Sequence, residues 1–349
     1  MAFCMMCCAL CGALIACSSD DDVLEDDQNG KLRLISCTRA IETNHTFENN
    51  TKLWLALTSG TTIDSEGTYT YNSTADIWTG GTMVREAKQY YLYGIMSPTG
   101  NLDCSITSVD YSKGATLTIN DVPPMLNESA VPYVVVGARG VLDPSTEWDV
   151  TEGQFGYMGI LKKNQDNAQL LVARLYAGLT FSFTIDDDYS ALRTIKLTSL
   201  KLKASASTYD KVNLTVVLEA RTNGTSPIKS VSATPTSETK VEDVTLFTDT
   251  DGQDIKDPLT GMGTACFASS IASNLSVECE YDVYDKPSDP NVEANKLAHR
   301  TAVNSLSNVI SAGSLHQGQK RTIKLNVIPT YLYMLSDADL DNPVITLSN

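Results

Sequence analysis

The sequence is poor in histidine and has no motif that organises catalysis. Its three histidines, His45, His299 and His316, have no catalytic or metal-ligating partner close in sequence. His-Glu-x-x-His, Gly-x-Ser-x-Gly and a phosphate-binding glycine loop are all missing, and with them the zinc-protease, serine-hydrolase and nucleotide-binding signatures. Carboxylates are plentiful, but the paired acids of a glycosidase meet only in a fold and cannot be read from spacing. The chain therefore reads as a non-enzyme. Positive charge is also scarce: 26 Lys and Arg stand against 42 Asp and Glu, for a formal net charge of −16. Phosphates need Lys and Arg, so no nucleic-acid partner is expected. Adhesion to anionic lipid fails for the same reason. Helical periodicity is lacking too. No stretch keeps apolar residues at i, i+3, i+4 and i+7 beyond a turn or two, which leaves strands as the building element.

What is present starts at the amino terminus. Residues 1–16 are uncharged and apolar, end in Leu14-Ile15-Ala16-Cys17, and give way to Ser18-Ser19-Asp20-Asp21-Asp22. An apolar run of this length closing on small residues reads as a secretory signal, too short to span a membrane as a helix. It lacks the usual Lys or Arg at its start, and a basic segment upstream of Met1 is the simplest account. A buried core helix is the other account, but it leaves the abrupt Cys-Ser-Ser-Asp junction without a cause. Leu-Ile-Ala-Cys resembles the lipobox of bacterial lipoproteins. That resemblance implies that Cys17 becomes the mature amino terminus and is acylated, so that its lipid anchor holds the protein in the outer membrane. Two or more acyl chains anchor stably where one does not. The acidic run after Cys17 resembles the surface-export signal of lipoproteins from Gram-negative gut and oral anaerobes, which implies display at the cell surface.

Of nine cysteines, Cys4, Cys7, Cys8, Cys11 and Cys17 fall in the signal or at its end. Their Cys-x-x-Cys spacings sit in apolar surroundings without His partners, so they do not read as a zinc site. Cys37, Cys104, Cys266 and Cys279 remain. They form disulfides in one of three pairings, with Cys266 and Cys279 close enough to staple one hairpin, or they are buried thiols. No metal or cofactor is expected. Asp249-Thr250-Asp251-Gly252-Gln253-Asp254 has the look of a calcium loop, but Thr260 stands where the bidentate Glu belongs.

The body reads as all-β. Val212, Leu214, Val216 and Leu218 alternate with polar neighbours, as do Leu275, Val277, Cys279, Tyr281 and Val283, each giving a strand with one buried face. Leu179 to Ile185, Ile323 to Val327, Thr116 to Ile119 and Tyr133 to Val136 add further strands. Pro98-Thr99-Gly100, Asn223-Gly224, Asp251-Gly252 and Asp257-Pro258 are turn signals between them. Many short strands with this punctuation predict sandwiches rather than a parallel sheet with helices. The polar stretch near Gly159 to Gln169 is the expected boundary, giving domains over 40–165 and 166–349 after an acidic tether and first strand over 17–39. Thr222 to Lys240, with Pro227 and Pro235, reads as a long loop.

Several segments in order carry a family likeness: the lipobox, the acidic tether, Thr38-Arg39-Ala40, Trp78, Tyr90-Tyr91-Leu92-Tyr93-Gly94-Ile95-Met96-Ser97-Pro98, Ala173-Arg174-Leu175-Tyr176-Ala177-Gly178-Leu179-Thr180-Phe181 and Leu192-Arg193-Thr194-Ile195-Lys196-Leu197. Together they resemble the fimbrillin family, the lipoprotein subunits of type V pili. The resemblance implies two transthyretin-like antiparallel β-sandwich domains in tandem. It also implies processing by an Arg-specific extracellular protease, which removes the first strand and opens a groove. A strand of another pilin subunit then fills that groove by donor-strand exchange, in a homo-polymer or a hetero-pilus that adheres to a host or bacterial surface ligand. The physics is strand addition, in which main-chain bonds pair the strand and alternate side chains fill pockets.

The parts can be assigned on this chain. Lys31 to Cys37 alternates, so Leu32, Leu34 and with them Ser36 are expected to face the groove. Arg39, followed by Ala40, stands at the family's processing position, with Arg33 as the other candidate; a solvent-facing Arg39 at a strand end is the plain alternative. Cutting after Arg39 sheds six acidic residues (Asp20, Asp21, Asp22, Glu25, Asp26, Asp27) and three basic ones (Lys31, Arg33, Arg39). The donor strand is expected at the carboxyl end, from Tyr331, Tyr333 and Leu335 to Val344, Ile345 and Leu347. This segment is apolar on both faces and equally suits a core strand of its own domain. The rival function is a surface lipoprotein that binds glycans by stacking sugar rings on Trp54, Trp78 or Trp148. An anchor or accessory subunit that keeps its first strand is a third reading.

Overall fold

A computed structural model describes residues 32–39, 47–81, 90–100, 102–110, 113–141, 160–161, 167–204, 208–220, 227–286, 288–311, 315–331 and 338–348. The positions expected to matter at Cys17, Ala40, Tyr333 and Leu335, and His45 and Trp148, lie outside the described residues.

Four sheets carry the fold. The first runs in the order β1 (Arg33–Arg39), β11 (Asn167–Arg174), β9 (Tyr133–Val141), β5 (Tyr90–Ser97), β2 (Lys52–Thr58), β3 (Ile63–Asn72) and β4 (Ile77–Gly80), with β10 (Ile160–Leu161) also paired to β5. The second is β15 (Ile228–Pro235), β14 (Val212–Glu219), β7 (Gly114–Val122) and β6 (Cys104–Asp110). The third is β21 (Ala338–Ser348), β20 (Lys320–Tyr331), β12 (Ala177–Ile185), β17 (Ala265–Phe267) and β8 (Met125–Asn127). The fourth is β16 (Val244–Asp254), β13 (Arg193–Ala204), β18 (Leu275–Asp285) and β19 (Lys296–Ser305). One short helix, α1 (Asp187–Leu192), begins where Asp186 accepts the Tyr189 backbone N–H, an N-cap that satisfies an otherwise orphaned donor.

Alternation explains the packing. Val212, Leu214, Val216 and Leu218 of β14 turn to one core, and burying each is worth roughly 1.5–3 kcal/mol. That core lies between the first and second sheets and also receives Trp54, Tyr93, Ile95 and Val134. The third and fourth sheets enclose another, with Phe181, Leu325, Leu197 and Cys279. The first sheet is buried on both faces. Leu53, Leu55 and Leu57 of β2 point to one side while Trp54 and Ala56 point to the other, which is why Leu53-Trp54-Leu55-Ala56-Leu57 is a continuous apolar run. The sheet curls until its end strands β1 and β4 meet, and the roll encloses a third core.

The all-β expectation holds, and three details differ from it. Among the described residues two pairings are parallel, β1 with β11 and β12 with β20. The sheets do not divide the chain at 165/166: β11, β14 and β15 belong with the amino-terminal strands, and β8 joins the third sheet through β17. The reason is physical, since alternation reports that a face is buried but not which sheet it covers. The polar stretch expected as a loop contains β15, which forms a hairpin with β14. Its polar residues face solvent, and Pro235 sits at the end of an edge strand, where a missing N–H is tolerated.

Candidate functional site

The first strand is the most distinctive element of the roll. β1 pairs through one edge, running parallel to β11 from Arg33↔Asn167 to Arg39↔Val172. Leu32 and Leu34 are buried at 3% and 6% exposure and join the enclosed core with Leu170, Val172, Leu53 and Tyr71. The register slips between Leu34 and Ser36, inserting Ile35 as a bulge. One extra residue reverses the facing of all that follow, so Cys37 takes the inward position. Its thiol is pushed well above the usual range by burial, with the Arg39 charge opposing, and it packs as a small apolar group.

Both ends of β1 are pinned. At its start the Tyr69 hydroxyl, on β3 across the roll, donates to the Leu32 carbonyl at 2.8 Å. Gly81 lies over that tyrosine with φ of 62°, and a Cβ there would stand 2.2 Å from the ring. Only glycine satisfies both demands. At the other end, the Arg39 guanidinium lies 4.6 Å from the Phe47 ring centre and 5.2 Å from that of Tyr133. Phe47 meets Tyr71 and Trp78 edge-on, each at 5.9 Å. Arg39 is thus half-buried against aromatic rings rather than turned to solvent. Cation–aromatic stacking of this kind strengthens as water is excluded.

Tyr133 connects this end to the middle of the molecule. Its hydroxyl is 3.5 Å from Nη2 of Arg174, the last residue of β11. Arg174 is buried and ion-paired with Glu128 at 2.9 Å, and its Nη1 approaches Cys266 Sγ at 3.5 Å. Lys320, which opens β20, also binds Glu128. Burial raises the Glu128 carboxyl, but hydrogen bonds from Lys320, Arg174 and Thr264 outweigh it and lower the value to about 2. A buried arginine left unpaired would be costly, so this acid is fixed as an anion. Tyr176, in the two-residue step from β11 to β12, donates to the Pro123 carbonyl at 2.5 Å.

The chain is similar to solved fimbrial proteins. One from Bacteroides vulgatus is 13% identical, with 91% of this chain and 98% of that one covered and a TM-score of 0.45. A fimbrilin from Porphyromonas gingivalis is 13% identical over 91% and 95% of the two chains, with a TM-score of 0.36. A proposed cell adhesion protein from Bacteroides uniformis is 10% identical over 91% and 97%, with a TM-score of 0.42. No family model matches the sequence, and no curated protein does. At such low identity and superposition, function has to be argued from this chain's own residues.

At the carboxyl end, β21 forms a hairpin with β20 at the edge of the third sheet, with Tyr331 opposite Ala338, Val344 opposite Ile328 and Leu347 opposite Leu325. Ile345 is buried and Leu347 packs partly against the same core. Asn304 on β19 donates to the Ile345 carbonyl at 2.8 Å. The tail therefore sits on its own sheet. Trp54 is in the core, whereas Trp78, half-buried on β4, packs against Phe47 and Tyr71. His299 pairs with Asp282 at 2.7 Å. Asp249 accepts the Asp251 backbone N–H inside β16, where the register against β13 shifts and Gly252 has a φ of 68°. Among the described residues no group of three or more His, Cys, Asp or Glu could hold a metal ion, and no helix is long and apolar enough to cross a membrane. Cys37, Cys104, Cys266 and Cys279 are free thiols.

The inward facing expected of Leu32 and Leu34 is seen, whereas sequence reasoning missed the contacts of Phe47, Tyr69 and Tyr133 and the inward place of Cys37. Tyr133 reads as the start of a strand. Nothing in that pattern says which distant group it would hold.

Proposed function

We propose that this protein is the precursor of a structural pilus subunit. It reaches the cell surface as an outer-membrane lipoprotein acylated at Cys17, and an extracellular Arg-specific protease cuts it between Arg39 and Ala40. The reading rests on one observation: an edge strand paired in parallel with β11 fills an enclosed core with Leu32, Leu34 and Cys37, and ends at an arginine. Parallel pairing is slightly weaker per residue than antiparallel, so a cut strand held by one neighbour can be exchanged. Its loss uncovers the β11 edge and apolar residues of the roll, which demand a new occupant. The occupant proposed is a strand from the 331–347 region of another subunit, with Tyr331, Tyr333, Leu335, Val344, Ile345 and Leu347 supplying side chains. Because β21 is seated on β20 here, donation requires its release first.

Limited trypsin digestion of the purified protein, read by intact mass and native gel, tests this. The expected result is loss of the segment ending at Arg39 and a stable core that forms ladders. A core that is cut there and stays monomeric would overturn exchange and favour an anchor or accessory subunit.

A further inference from the structure

The surroundings of Arg39 carry more than a cleavage point. A protease that recognises arginine must take the guanidinium into its own pocket. Here that group is occupied, lying over Phe47 at 4.6 Å and Tyr133 at 5.2 Å, with its Nε enclosed by protein. The Arg39 backbone is likewise held in register with Val172. Neither ring is free to drift. Phe47 is buttressed by Tyr71 and Trp78, which themselves lie 5.2 Å apart, and Tyr133 is hydrogen-bonded to the buried Arg174.

We infer that Phe47 and Tyr133 form an aromatic latch that sequesters the Arg39 guanidinium and thereby sets the rate at which the first strand is released. The inference rests on Arg39 being the processing residue, and it adds regulation of that step by two positioning residues. When a bond opens and recloses faster than it is cut, cleavage follows the population of the open form. Each increment of latch energy therefore lowers the processing rate by a constant factor, tenfold per about 1.4 kcal/mol, while leaving the cut product unchanged. The latch also explains an otherwise odd feature, an arginine turned into aromatic rings at the end of an edge strand. Only the planar guanidinium suits both rings, and lysine would not replace it.

The test compares trypsin cleavage after residue 39 in the folded full chain with cleavage of a synthetic peptide spanning residues 33–47. The ratio of the two rates is the protection conferred by the fold. Stacking of about 0.5–2 kcal/mol corresponds to a change of about two- to thirty-fold at 1.4 kcal/mol per tenfold. Phe47→Leu should lower protection by that factor, and Phe47→Tyr should keep it. Arg39→Lys, still a trypsin site, should lower it as well once normalised to its own peptide. Cleavage after Lys113 and Lys229, both exposed, serves as a control and should not change. The latch is overturned if Phe47→Leu leaves protection at the native value, if Phe47→Tyr loses as much as Phe47→Leu, or if the control bonds open to the same extent. Ladder formation by the cut core is a separate readout, so strand exchange and the latch can fail independently.

Discussion

The two end strands of the described chain, β1 and β21, are both edge strands, and they are held in opposite ways. β1 lies parallel to β11, a partner far off in sequence, and no turn links them. β21 lies antiparallel to β20, the strand just before it, so a short connection already keeps the pair together. Closing a long loop costs more chain entropy than closing a short one, though the cost grows slowly with length. β1 must therefore be held by what it buries: Leu32, Leu34 and Cys37 inside the roll, with Tyr69 at one end and the Phe47 and Tyr133 rings at the other. Among its described side chains β21 buries Ile345 and part of Leu347, and it is also held by its hairpin with β20 and by contacts with β19. The difference decides what each can do after a cut. A severed β1 has no covalent tie to its seat and can leave, whereas a displaced β21 stays attached as an arm. On the proposed function, the first end would be the one removed and the second the one lent.

Truncation tests that contrast with the largest expected effect. Deleting residues 1–39 withdraws two leucines worth roughly 1.5–3 kcal/mol each when fully buried and leaves β11 with an open edge. Self-association in sedimentation velocity is the expected outcome. Deleting residues 338–349 removes only Ile345 among the fully buried described side chains. The expected product is a monomer whose urea midpoint falls by less than that of the first truncation. If the carboxyl-terminal deletion were the one that polymerised, the assignment of plug and arm would be reversed.

The sequence carried the β class because inward alternation on strands such as β14 and β18 is a local signal. It also carried Leu32 and Leu34, for the same reason. It could not carry the inward place of Cys37, because the bulge at Ile35 depends on the partner strand, and one inserted residue exchanges inside for outside. The pattern on β9 shows the same failure: Tyr133 and Val135 face the roll, and so does Ala138 once the register slips across β11. The domain boundary was lost for a related reason. β14 and β15 follow the expected boundary in sequence but complete the amino-terminal sandwich, and no local pattern records which sheet a strand will join. The Arg174–Glu128–Lys320 cluster at the junction was equally silent, since its members are distant in sequence and meet only in the fold.

A smaller perturbation separates anchoring from burial. Tyr69→Phe keeps the ring under Gly81 but removes the donor to the Leu32 carbonyl. Leaving a buried acceptor unpaired costs about 1–3 kcal/mol, and here the loss falls on the amino-terminal end of β1. Hydrogen exchange should therefore quicken at Arg33 and Leu34 before it quickens at Thr38. Uniform acceleration along β1 would mean that the strand opens as a single unit and that its two ends are not held independently.

The smallest effect belongs to the other end. Asn304 holds β21 through one side-chain bond to the Ile345 carbonyl, in a half-buried setting. Such a bond is worth about 0.5–1.5 kcal/mol net, and a partly wet carbonyl recovers some of that from water, which places Asn304→Ala at the lower end. The hairpin with β20 is untouched, so overall stability should barely move. What should change is the ease with which β21 lifts from its sheet. Exchange at Ile345 and Thr346 should rise severalfold, while β1 stays as protected as before. If β21 is lent as proposed, it must leave its own sheet first, and a weak asparagine bond on its β19 side eases that release. If Asn304→Ala instead lowered global stability as much as Tyr69→Phe does, β21 would be a core strand in the same sense as β1, and the distinction between the two ends would collapse.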